Sequence, residues 1–133
     1  MSAEQTTPDV RAPITSALVL EDETAIRNLE RTMLNMLKIP NVYEAACVED
    51  AIMLFDQHNP GLVVTDNSVI GAQNGEVLVR YVNQHSPSTP VIWCSSEKPP
   101  SDLELAAVLI KPVGYTAFAN AVAAARNYQP PNP

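Results

Sequence analysis

The chain has 133 residues, enough for one domain that buries most of the surface its unfolded form exposes and too few for a second module. Fifteen acidic residues against eight basic ones give a formal charge of −7, which repels phosphate backbones and anionic membranes and argues against a nucleic-acid binder. No apolar run approaches the roughly 18 residues of a membrane span, residues 1–13 lack the pattern of a signal peptide, and Cys47 and Cys94 fit neither a disulfide framework nor a metal spacing, so a reducing cytoplasm is the expected compartment.

Residues 1–14 read as a flexible arm, 15–128 as the domain, and 129–133, with Pro130, Pro131 and Pro133, as a tail or linker stub. Ala17 to Leu20 form the first apolar run, and Ile26, Leu29, Met33 and Leu37 then recur at helical spacing. That predicts a strand followed by a helix. Val42 to Ala45 give a second short strand, and Val48, Ala51, Ile52 and Phe55 one face of a second helix that stops before Asn59-Pro60-Gly61. Leu62 to Asp66 form the third strand, Leu78, Tyr81, Val82 and His85 the third helical stripe, and Pro90 to Ser95 the fourth strand. Ser101-Asp102-Leu103-Glu104 matches a capping box. The helix it opens must be short, because Ala106 to Ile110 already read as the fifth strand. Phe118, Ala121, Val122 and Ala125 stripe an alanine-rich last helix over 116–128. Five strands alternating strictly with five helices imply an α/β fold, a parallel sheet with helices on both faces.

If the strand order is 2-1-3-4-5, strands one and three are neighbours, and Glu21, Asp22 and Asp66 then converge at their carboxyl ends, where open α/β sheets gather ligands. Three carboxylates about 4 Å apart repel by roughly 4 kcal/mol per pair at an effective dielectric near 20, so the cluster must hold a proton or a cation. Oxygen ligands with open positions suit Mg²⁺, which shares its remaining sites with a phosphoryl group. Taken alone, an acidic tripeptide such as Glu21-Asp22-Glu23 is an ordinary helix start. Two other strand ends complete a phosphoryl site: Ser95 offers a hydroxyl, and Lys111, before Pro112, offers an ammonium.

This arrangement resembles the response regulator receiver domain over about residues 15–128. The resemblance implies a doubly wound, flavodoxin-like or CheY-like (βα)₅ sheet with a shortened fourth helix. Glu21 and Asp22 match the family's acidic pair, Asp66 its phosphoacceptor, Ser95 its switch hydroxyl, Lys111-Pro112 its Lys-Pro pair with a cis peptide, and Ser68 the position whose backbone carbonyl completes the Mg²⁺ shell. A histidine kinase or histidine phosphotransfer protein of a bacterial two-component phosphorelay is then the implied donor. The resemblance further implies that the chain catalyses only its own acylphosphate formation and loss, and signals by altered binding to a downstream protein, alone, as a homodimer, or as the receiver fragment of a longer regulator.

The sequence also departs from that pattern. The interval from Ser95 to Lys111 holds Glu97-Lys98-Pro99-Pro100 where a full helix is usual, Val108 stands where an aromatic switch residue is common, and the loop after Asp66 lacks the usual Met-Pro. Three alternatives use the same residues. A phosphatase of the haloacid dehalogenase class needs a second aspartate where Ser68 stands; a serine hydrolase built on Ser95 or Ser96 lacks a glycine-flanked elbow and has only His58 and His85, both on expected helices; and a receiver-shaped module that is never phosphorylated acts by contact alone. Trp93 is expected as core filling.

Overall fold

A computed structural model of the chain describes residues 13–131. Its apolar runs form five strands, β1 (Ser16–Leu20), β2 (Asn41–Ala45), β3 (Val63–Thr65), β4 (Val91–Ser95) and β5 (Ala107–Ile110). Four helices connect or follow them: α1 (Thr24–Met36), α2 (Val48–His58), α3 (Gly75–His85) and α4 (Tyr115–Arg126). All strand pairs are parallel, in the order β2-β1-β3-β4-β5. This is the doubly wound sheet expected from the strict alternation, with β1 and β3 side by side at the point where the winding reverses. Most of the arm expected over residues 1–14, and Asn132 and Pro133 of the tail, lie outside the described residues; Ile14 packs against the core.

Alternation along each strand divides the core in two. Ala17, Val19, Val64, Ile92 and Cys94 face α1 and α4, where Met33, Leu34, Phe118, Ala121 and Val122 cover them. Leu18, Leu20, Val63, Val91 and Trp93 face α2 and α3, against Val48, Ala51, Phe55, Leu78 and Val82. In α1 the buried face is Glu30, Met33 and Leu34, while Leu29 is exposed, so the helix is turned slightly from the phase its apolar residues suggest.

The expected fourth helix is absent among the described residues. Residues 101–103 make a turn and bend, and the chain passes from β4 to β5 as a loop. The capping box fails because other groups take its partners. The Glu104 amide donates to the Asn83 side-chain oxygen (3.0 Å), the Asn83 amide group donates to the Glu104 carbonyl (3.1 Å), and Asp102 pairs with Arg80 (2.8 Å). Both Asn83 and Arg80 lie on α3, so long-range contacts override a local helix signal.

Candidate functional site

Each strand that ends near the reversal point releases a polar residue into the same crevice. Glu21 and Asp22 follow β1, Asp66 follows β3, Ser95 closes β4, and Lys111 follows β5. The carboxylates of Glu21, Asp22 and Asp66 each place an oxygen within 4.8 Å of the others, as the sequence predicted. Glu21 is 1% exposed and Asp66 8%, so these charges stand largely out of water.

Lys111 holds the buried acids together. Its ammonium donates to Glu21 Oε1 at 2.6 Å and to Asp66 Oδ2 at 2.9 Å. Burial alone would lower its pKa, but the hydrogen bonds to Asp66 and Glu21 reverse that and hold it above its ordinary value. Burial pushes Glu21 upward, with Lys111 and the Glu23 amide opposing. The Lys111–Pro112 peptide is cis. The Lys111 amide donates to the Ser95 carbonyl at 2.9 Å, so the strand ends carrying lysine and serine are tied through the backbone.

Asp66 is fixed from both sides. Its Oδ1 accepts from the Asn67 amide (2.7 Å), and its carbonyl accepts from the Thr65 hydroxyl (2.8 Å). Gly75, at the start of α3, lies so close that a Cβ there would stand 1.8 Å from the Asp66 carbonyl oxygen. Any side chain at that position must displace the loop, which is why the turn after the polar run ends in glycine.

Ser95 is buried, and its hydroxyl accepts from the Glu97 amide at 3.3 Å; no described hydrogen bond joins it to Asp66. The Ser68 hydroxyl donates to Glu97 Oε1 at 2.9 Å, and the Asn67 side-chain amide donates to the same oxygen at 2.9 Å. Glu97 therefore joins the loop after β3 to the loop after β4, a role sequence reading did not assign. Its signal was an acid two residues beyond Ser95, uninformative without knowing that the loops meet. Arg27 was also unassigned. Its guanidinium donates to the Glu21 carbonyl at 2.7 Å and pairs with Glu44 at 3.2 Å, anchoring the acidic turn.

The two histidines stand apart from this chemistry, at the last turns of α2 and α3. His58 stacks on Tyr43, and His85 stacks on Tyr81. Neither supplies a base for Ser95, which removes the structural basis of a serine hydrolase.

A parallel α/β domain with a lysine-bound carboxylate cluster at its reversal point is the architecture of aspartate-centred signalling domains. The family model described as the response regulator receiver domain matches residues 17–120, and the chain belongs to that family. No curated protein matches the chain. Among solved structures, a DNA-binding response regulator of the LuxR family from Staphylococcus aureus is 18% identical, with a TM-score of 0.75 over 85% of this chain and 99% of that one. The chemotaxis response regulator CheY4 of Vibrio cholerae is 18% identical, with a TM-score of 0.72 over 84% and 98%. The anti-anti-sigma factor PhyR from Bartonella quintana is 21% identical, with a TM-score of 0.70; 86% of this chain matches 48% of that one. These likenesses confirm the fold, a CheY-like doubly wound parallel sheet. Among the described residues no helix is long and apolar enough to cross a membrane.

Proposed function

We propose that the chain is a phosphoacceptor of a two-component phosphorelay, taking a phosphoryl group on Asp66 from a phosphohistidine of a histidine kinase or phosphotransfer protein in the cytoplasm. The observation that supports this most directly is the Asp66 carboxylate, buried at a strand end, held by the Asn67 amide and Lys111, and within 4.8 Å of Glu21 and Asp22. A carboxylate oxygen attacks phosphorus as the P–N bond breaks, and its electron pair leaves with the imidazole nitrogen. The Asn67 amide and Lys111 fix the direction of attack, and the Lys111 ammonium is placed to hold a transferred oxygen.

The all-oxygen donor set fits Mg²⁺, with Glu21, Asp22, Asp66 and the Ser68 carbonyl as its holders. When bound, the ion supplies positive charge against the phosphoryl oxygens. Ser95, one strand over, is the hydroxyl that can swing toward the new phosphate once it releases the Glu97 amide. The product is altered binding to a downstream protein.

Incubation with radiolabelled acetyl phosphate and Mg²⁺ tests the reading. Label should enter the chain, be lost on Asp66→Asn with circular dichroism unchanged, and fall in excess chelator. Undiminished labelling of Asp66→Asn would overturn the assignment of Asp66, and absence of label in the unaltered chain under all donor conditions would favour a module that works by contact alone.

A further inference from the structure

Away from the phosphoryl site, Glu30 is the least expected side chain in the molecule. It lies on α1 only 3% exposed, on the face that packs against the core. Of the side chains around it, the thiol of Cys94, a weak donor, does most to favour its charged form. A carboxyl group so placed costs stability unless something better meets it. Arg27 and Arg31 of the same helix do not, since both pair with Glu44 of β2.

Glu30 and Cys94 line a groove of about 380 Å³ between α1 and the segment that leads into α4. The rest of its wall is apolar, Ile26, Leu29, Met33, Pro112, Val113 and Phe118, apart from Lys111. Small-molecule sites have this size and this makeup, a mostly apolar cavity of about 300–1,000 Å³ with one or two polar groups fixing orientation. The charges Glu30 feels are Glu21 and Asp66 on one side of the balance and Lys111 on the other. Glu30 is the one acid in the groove's lining, and the one base there, Lys111, already spends its ammonium on Glu21 and Asp66. An anion is repelled there, and a neutral apolar molecule leaves the carboxyl group with a thiol alone. An ammonium brings three strong donors and the right sign.

We propose that this groove binds a small molecule with one ammonium group on an apolar stem, Glu30 being its counter-ion. The site adjoins the acidic cluster through Lys111 but does not depend on phosphorylation of Asp66. Burial, then the nearby Glu21, pushes the Glu30 carboxyl up to about 8, with Cys94 and Lys111 opposing and Asp66 adding to the rise. No charged side chain of α4 lines the groove. Below that pH an incoming ammonium must displace a proton. Affinity should therefore climb by up to about tenfold per pH unit between pH 6 and 8, then level until the amine loses its own proton near about pH 10.

The test is a nuclear magnetic resonance titration of the isotope-labelled full chain with hexylammonium, hexanol and hexanoate at pH 6 and pH 8. Hexylammonium should bind at least tenfold more tightly than hexanol at pH 8, with shifts centred on residues 26–33 and 111–118, and the advantage should shrink at pH 6. Glu30→Gln and Glu30→Leu should each reduce hexylammonium to the affinity of hexanol. The leucine variant guards against a folding artefact, because an apolar side chain suits the surrounding core. Equal binding of amine and alcohol, tighter binding of hexanoate, or unchanged amine affinity in Glu30→Leu overturns the proposal. Shifts centred on Glu21, Asp22 and Asp66 also overturn it, since the amine has then entered the acidic cluster.

Discussion

The two faces of the sheet are finished differently. On one, α1 lies over β1 and β2 and α4 reaches β5, where Ala107 and Leu109 pack against the same core. On the other, α2 and α3 cover the sheet as far as β4, the crossover to β5 is a loop, and Val108 and Ile110 stay 47% and 44% exposed. The closed face encloses an acid, Glu30, that an open face would have hydrated. The open face keeps its order over β4 through one large side chain. Trp93 is fully buried, Leu103 of the loop packs with it, and its indole N–H donates to the Glu97 carbonyl at 2.7 Å. A tryptophan and a few side-chain ties thus stand in for a helix above β4, and nothing among the described residues does so above β5.

The largest test of this contrast is Trp93→Ala. Emptying a fully buried tryptophan site costs about 3–5 kcal/mol, and the loop loses its anchor with the ring. Urea denaturation should show that loss, with faster amide exchange in residues 96–106 even under folding conditions. A cost below about 1 kcal/mol would mean the loop is held elsewhere. Trp93→Phe separates the ring from its N–H and should recover most of the stability while the loop remains loose.

The next effect lies on the closed face and depends on pH. Glu30 in the native protein titrates near 8, against about 4.3 for a glutamate in an unfolded chain. Between those values the native state holds the extra proton, so stability falls as pH rises from about 5 to 8, by at most roughly 1.4 kcal/mol per pH unit, and levels above 8. Glu30→Leu should remove that slope and gain most at pH 8. Parallel stability curves for the two proteins from pH 5 to 8 would show that the carboxyl group is hydrated in solution.

These contrasts mark what the sequence could disclose. Glu21, Asp22, Asp66, Ser95 and Lys111 were readable because each follows or closes an apolar run, and a parallel sheet must send such residues to one edge. A parallel sheet with helices on both faces followed from the alternation of strands and helices, whereas the order of the strands did not. Glu30 was not readable, because a glutamate inside a helical stripe carries no local sign that the helix will turn it inward. The fourth helix was misread for the opposite reason. Its local sign, Ser101 with Glu104, is genuine, but Asn83 arrives from another element and takes the Glu104 backbone, while Arg80 takes the neighbouring Asp102. The Glu97 bridge depends on two loops meeting, which no local pattern encodes.

A smaller change probes those claims directly. Asn83→Ala removes two hydrogen bonds to the Glu104 backbone, both near solvent, and should cost about 1 kcal/mol. If the capping box is held off only by Asn83, the variant should also gain helical circular dichroism as residues 101–104 recover their local preference. No change in either quantity would mean that the paired prolines before Ser101, not Asn83, keep the segment from coiling.

The smallest expected effect belongs to Val108. Val64→Ala, on the closed face at 1% exposure, should cost about 2 kcal/mol through lost burial and the cavity left behind, whereas the same change at Val108 should cost about 0.5 kcal/mol or less. Val108 is half in water, and its neighbour in register is Trp93, which the loop already covers. The contrast extends to signalling. Val108 is stiff at χ1 and too short to follow a moving Ser95 hydroxyl, so a response to phosphate should appear in the loop that holds Glu97. With a beryllofluoride phosphate mimic, amide exchange should change most in residues 96–106, and Val108→Tyr should leave both that change and the stability nearly unaltered. If exchange in 96–106 stays flat while α1 or α4 responds, the closed face carries the signal and the open one is only an unfinished layer.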